Sequence, residues 1–221
     1  MKFHSSFCSV QNFFTAILFL PFFFACKKES GSDVRSKGYT IKGKVEKGPF
    51  VKGSKVTIQE LTKEFAPTGK TFNTTIIDDE GSFVLNNIEL NSTLIEIITD
   101  GYFYNEVLGD LSVGPISLSG VADLSEGSDI NINILTHITK ERILHLIKNE
   151  KLAINKAREK AQKEFFTIFG LQDVSAKSFN AFTVTEGTRE ASSQIVVSSI
   201  LLKDRSPAQF TEYIASLSNQ F

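Results

Sequence analysis

The chain of 221 residues carries 24 Lys and Arg against 25 Asp and Glu, a formal net charge of −1. That balance gives no electrostatic footprint for nucleic acid or for a general anionic surface. The two cysteines, Cys8 and Cys26, supply no disulfide framework if an N-terminal signal is removed with Cys8, so the fold has to be held by packing alone.

Lys2 and His4 give a weakly basic start, and Phe13 to Phe24 carries no charge. An apolar run of about 12 residues suits the core of a signal peptide and falls short of the roughly 20 that a membrane-spanning helix needs. Pro21 would interrupt a helix running on toward Cys26 and leave an extended cleavage segment. Phe23-Phe24-Ala25-Cys26 resembles a lipobox, with Phe23 standing where Leu is usual, as in the relaxed lipoboxes of some bacterial phyla. The resemblance implies removal of residues 1–25 and transfer of diacylglycerol to Cys26, the lone cysteine then left. Stable attachment takes the two or three acyl chains that this pathway adds. A plain secretory signal and an uncleaved anchor are the alternatives. Lys27-Lys28-Glu29 resembles the tags that send some lipoproteins to the cell surface. The expected location is the cell envelope, lipid-anchored, with the outer membrane as the surface.

Residues 1–25 hold eight of the 20 Phe, so the remaining chain is less apolar than its average, yet long enough for one or two domains with proper cores. Glu29 to Lys37 is charged and Ser/Gly-rich and reads as a flexible tether over residues 26–37. From Gly38 the pattern has period two. Tyr39, Ile41, Gly43 and Val45 alternate with Thr40, Lys42, Lys44 and Glu46, which predicts a half-buried strand. Val56 and Ile58 predict a second strand, and Leu61 to Gly69 a loop around Pro67. Phe72, Thr74 and Ile76, the turn Asp78-Asp79-Glu80-Gly81, then Phe83 and Leu85 predict a hairpin. Leu94 to Thr99, Tyr102 to Leu108 and Ile116 to Val121 complete a seven-stranded antiparallel β-sandwich over residues 38–128.

Gly43-Lys44-Val45, Gly48, Gly53-Ser54-Lys55-Val56-Thr57-Ile58 and Asp79-Glu80-Gly81-Ser82-Phe83 resemble the carboxypeptidase regulatory-like domain, a prealbumin-like sandwich, over roughly Tyr39 to Thr99. The resemblance implies that the glycines shape the opening strand and turn, and that the Asp-x-Gly-x-Phe element closes a hairpin and plugs the core with its aromatic. It implies a fold and no activity, because such modules accompany enzymes, receptors and adhesins without catalysing anything themselves.

Residues 129–221 turn helical, making the fold class α+β. Ile134, Leu135, Ile138, Arg142, Leu146 and Ile147 mark a helix to about Asn149, capped by Asn133 or Asn131. Ile154 to Phe169 places Ala157, Ala161, Phe165, Ile168 and Phe169 on one face, and Gly170 ends it. Glu190 to Lys203 carries Ile195, Val196, Ile200 and Leu201. Ser206-Pro207 opens a last helix with Phe210, Tyr213, Ile214 and Leu217.

His137, Glu141 and His145 recur every four residues. The two histidines are about 12 Å apart along a helix axis, so both cannot reach one ion, and ordinary polar-face roles explain them better. Asp129, Asn131 and Asn133 alternate, but the glycine and glutamate of a calcium loop are missing from their places. Asp78, Asp79 and Glu80 read as turn residues. Tyr102 and Tyr104 share a strand face opposite Phe103; one face is expected to be core and the other to offer an aromatic platform to a sugar ring or a protein, with sandwich packing alone as the simpler account of all three. The sequence carries no nucleophile elbow, zinc-protease helix or phosphate-binding glycine loop. No catalytic residue, metal or cofactor is expected. The expected function is a non-catalytic binding or structural module at a membrane surface. A glycan- or host-protein-binding adhesin using Tyr102 and Tyr104 is the first alternative, and a metal-dependent hydrolase at His137 and Glu141 the second.

Overall fold

A computed structural model describes residues 38–171 and 177–221, which belong to one compact unit. The signal segment, Cys26 and the tether lie outside the described residues. Among the described residues the fold is α+β, with nine strands in mixed sheets, four helices and one 3-10 turn.

In β1 (Gly38–Glu46) the alternation sends Ile41 and Val45 inward. It pairs antiparallel with β4 (Ser82–Glu89) and, at its end, parallel with β9 (Ile132–Asn133), where Val45 faces Ile132 and Glu46 faces Asn133. The second sheet has the order β3 (Pro67–Thr75), β2 (Lys55–Leu61), β5 (Leu94–Gly101), β8 (Ile116–Asp123), antiparallel throughout. Short arms β6 (Tyr104–Asn105) and β7 (Asp110–Leu111) form a separate hairpin. Ile41, Val45 and Phe83 from the first sheet and Val56, Ile58, Ile97 and Leu118 from the second lie in one apolar cluster. The same cluster takes in Ile134, Ile138, Phe165, Val197, Phe210 and Ile214 from the helices. Strands and helices therefore share a core.

Several expectations are corrected. Pro67 does not sit in a loop but opens β3, opposite Leu61 and past a register irregularity after Gln59. That strand is the sheet's edge, where a proline at the first position is tolerated. The Asp78–Gly81 turn does not close a hairpin. Asp78 Oδ1 accepts from Glu80 N at 3.0 Å and Ser82 N at 2.9 Å, and Gly81 takes φ 79°. The chain then crosses from one sheet to the other, since β3 pairs with β2 and β4 with β1. Tyr102 to Leu108 is not one strand: Phe103 makes a single bridge to Phe50 before the β6–β7 hairpin begins. Nine strands, with β9 parallel to β1, stand where seven antiparallel ones were expected.

The helices are α1 (Ile134–Glu150), α2 (Ile154–Phe169), α3 (Arg189–Leu202) and α4 (Pro207–Gln220), with the 3-10 turn at Phe179–Ala181. Asn133 caps α1: its side chain accepts from Leu135 N and Thr136 N while the Thr136 side chain accepts from Asn133 N. Ser206 and Gln209 build the same box on α4, with Pro207 in its first turn. Gly170 ends α2 in the left-handed conformation. The α1 helix lies along β8, whose Ser119 N donates to His137 Nδ1 at 3.1 Å, so that α1 covers an edge that would otherwise be open for pairing. Among the described residues no helix is long and apolar enough to cross a membrane.

Candidate functional site: a clamped apolar hairpin

The end of β1 breaks the alternation that the sequence shows. Glu46 and Lys47 are consecutive, yet both are fully buried, so both must be paired. Lys47 Nζ lies 2.7 Å from Glu106 Oε1 and 5.2 Å and 5.6 Å from the ring centres of Phe103 and Phe210. Burial pulls the Lys47 ammonium below its usual range, and the Glu106 carboxylate opposes that pull. Glu46 accepts from the Thr183 hydroxyl at 2.9 Å and from Val184 N at 3.0 Å, while burial raises its carboxyl. On α3, Gln194 Nε2 donates to Glu46 O at 3.4 Å and the Ser198 hydroxyl to Lys47 O at 3.1 Å.

Glu106 belongs to the β6–β7 hairpin, so the Lys47 pair latches that hairpin to the body. Its base is held by Tyr104 N donating to Pro49 O at 2.9 Å, Val51 N to Tyr102 O at 3.0 Å and Ser112 N to Phe103 O at 2.8 Å. Its tip is closed on Asn105, whose Oδ1 accepts from Val107 N at 3.0 Å and Leu108 N at 3.2 Å. Gly48 lets the two backbones meet, because a Cβ there would come within 2.1 Å of Tyr104 O.

What this frame presents outward is apolar. Tyr102, Tyr104, Val107, Leu108, Leu111 and Val113 are six of the eleven large apolar side chains exposed among the described residues. Leu108 and Val113 are 73% and 88% exposed. Tyr104 sits across the hairpin from Leu111. Single exposed apolar residues are ordinary, whereas these six fall within residues 102–113. Tyr102 and Tyr104 are exposed and Phe103 is buried, on opposite faces as the alternation predicts, with Phe103 on the core side. The other four exposed side chains and the Lys47–Glu106 latch were missed. Val107-Leu108 just before Gly109-Asp110, an apolar pair at a turn, was the available signal.

The remaining candidates are scattered and occupied. His137 accepts from Ser119 N, and burial together with the nearby Lys140 charge pushes it down to about 4. Glu141 lies 3.4 Å from Lys140 Nζ, and His145 Nδ1 lies 3.2 Å from Arg142. Asp129 pairs with Lys42 at 3.2 Å, and Asn131 Oδ1 accepts from Lys44 N at 2.9 Å. Asn133 is the α1 cap and Asp78 closes its turn. Among the described residues no three His, Cys, Asp or Glu side chains gather so as to hold a metal ion. Cys26 lies outside the described residues. No protein-family model matches this chain, and neither does any curated protein or solved structure.

Proposed function

We propose that this chain is a cell-envelope lipoprotein, held at a membrane by acyl chains on Cys26, and that its folded part is a non-catalytic binding module whose contact surface is the Tyr102–Val113 hairpin. The observation that carries this reading is the concentration of exposed apolar side chains on a loop fixed by the buried Lys47–Glu106 pair. A rigid apolar surface is what a protein partner buries at the centre of an interface. The regulatory-like sandwich remains part of the proposal, supported by Phe83 buried behind the Asp78–Gly81 turn and by apolar side chains of both sheets in one core. β1 spans nine residues, about 30 Å at 3.3 Å per residue, between the tether's entry at Gly38 and the hairpin's latch at Lys47.

A photoreactive side chain in place of Leu108, in the full chain expressed in its own cells, tests the surface. It should give one discrete adduct that Val113→Asp abolishes, whereas the same group in place of Ile168, which is 67% exposed on α2, should not. Equal labelling from both positions overturns the assignment. Intact mass and membrane fractionation beside Cys26→Ser test the anchor: an unacylated, soluble wild type removes it. The exposed Tyr102 and Tyr104 favour a second reading, a glycan-binding adhesin, which requires carbohydrate binding that is lost in Tyr102→Ala and Tyr104→Ala.

A further inference from the structure

The two sides of the β6–β7 hairpin differ. Phe103 and Ser112 are buried and tied on the inner side, with Phe103 N donating to Ser112 Oγ at 3.1 Å and the Ser112 hydroxyl to Gly114 O at 2.9 Å. Their neighbours alternate outward. Tyr104 faces Leu111 across the ladder. The bond from Ser112 N to Phe103 O makes theirs a non-hydrogen-bonded pair, the kind whose side chains stand closest. Tyr102 and Val113 follow one residue outside that bond and are exposed as well. The outward side is thus one apolar face of two columns, Tyr102 and Tyr104 on one arm, Val113 and Leu111 on the other. Val107 and Leu108 stand exposed at its tip.

Charge, edge and area limit what this face can meet. Glu106 and Asp110 are the only charged side chains in residues 102–113. Glu106 is turned in on Lys47, and neither belongs to the four-residue face, so two copies of it can meet without like charges opposed. Asp110 Oδ1 accepts from Leu111 N at 2.7 Å. In a non-hydrogen-bonded pair that N–H points to the free edge, so the edge is blunted against an added strand and the face is what remains. Tied to Ser112 and latched through Glu106, the hairpin has little ordering left to lose on contact. Six side chains 45–88% exposed on each of two copies take on the order of 1,000 Å² out of water, the threshold for a specific contact. The columns also fit themselves. A two-fold axis along the hairpin lays the tyrosines of each copy on the aliphatic column of the other, the same residues serving both sides.

We propose that the occupant of this face is a second copy of the same chain, the two hairpins packed face to face about a two-fold axis. This rests on the hairpin being the contact surface and adds the identity of what it contacts. The photoreactive group at Leu108 in the full chain, with the adduct read by mass, separates the two. An adduct of twice the chain's mass that yields peptides of this chain alone is expected. An adduct with a different protein, or with lipid, overturns the pairing and leaves the hairpin as a contact surface. Equal labelling from Leu108 and Ile168, or none from Leu108, overturns both. Two differently tagged full-length copies made in the same cells give a second readout, recovery of one through the tag of the other. Leu111→Asp and Val113→Asp, both at exposed positions, should each cut that recovery by about tenfold or more, because the carboxylate would be buried without a partner. Ile168→Asp should leave it unchanged. Recovery that survives both aspartates, or no recovery from the wild type, overturns the pairing.

Discussion

Lys47 and Glu106 meet at 2.7 Å with the lysine side chain wholly out of water, and this contact joins the end of the first strand to the hairpin. Attraction between the two charges is offset by the cost of stripping both of water, so the pair is worth more as a constraint than as net stability. Removing one partner is a different matter, because it strands the other.

Glu106→Ala should therefore destabilise the fold by about 3–5 kcal/mol, while Lys47→Met combined with Glu106→Leu should come close to wild type or exceed it. Urea unfolding of both variants checks this. A single-variant cost below about 1 kcal/mol would mean that the ammonium reaches water when unpaired.

Gly48→Ala forces a Cβ to within 2.1 Å of Tyr104 O, against backbone that cannot step aside. The expected cost is about 1–3 kcal/mol, accompanied by faster proteolysis within 102–113. Gly187→Ala, with nothing within 4 Å of the added carbon, should stay within about 0.5 kcal/mol of wild type.

His137 gives stability a dependence on pH. Its folded value of about 4 lies below the ordinary 6.5, so the unfolded chain binds more protons between those values. Stability is full above about 6.5 and falls as the pH drops toward 4, by up to roughly 3 kcal/mol. His137→Asn, which retains an acceptor for Ser119 N, should flatten that slope in chemical denaturation between pH 4 and 6.5. An unchanged slope would assign it to other groups.

Phe179 stands edge-on to Phe165, Phe166 and Phe182, with ring centres 5.6, 5.2 and 5.3 Å away. Phe179→Ala should cost about 3–5 kcal/mol. Ile168→Ala, on the exposed side of α2, should cost next to nothing; thermal unfolding of both variants checks this.

Local signals made part of this legible. The end of α2 at its left-handed Gly170 and the Ser206-Pro207 start of α4 follow from caps that residues a few positions apart supply. The faces of α3 do not follow in that way. Ile195, Val196, Val197, Ile200, Leu201 and Leu202 surround the helix, so apolar periodicity selects no side. The structure buries Val197 and Leu201 and leaves Val196 and Ile200 at 50% and 59% exposure. Gln194 and Ser198 decide it by reaching the Glu46 and Lys47 carbonyls. The hairpin was partly visible in the alternation around Phe103. Its latch was not, because a lysine at a strand end reads as solvated until its distant partner is known.

The contacts that complete β1 reach far along the chain. Glu46 is bonded by Thr183, 137 residues later, and the Lys47 carbonyl by Ser198, 151 residues later, while Val45 pairs with Ile132. A chain threaded amino end first therefore makes its opening strand early and finishes it near the end. For a protein exported as proposed, the strand can pair with β4 once residue 89 has emerged, but its last contacts wait for Thr183 and Ser198. That order leaves a bare strand edge and a charged pair's half-built pocket waiting at the membrane surface, the state most open to wrong pairing.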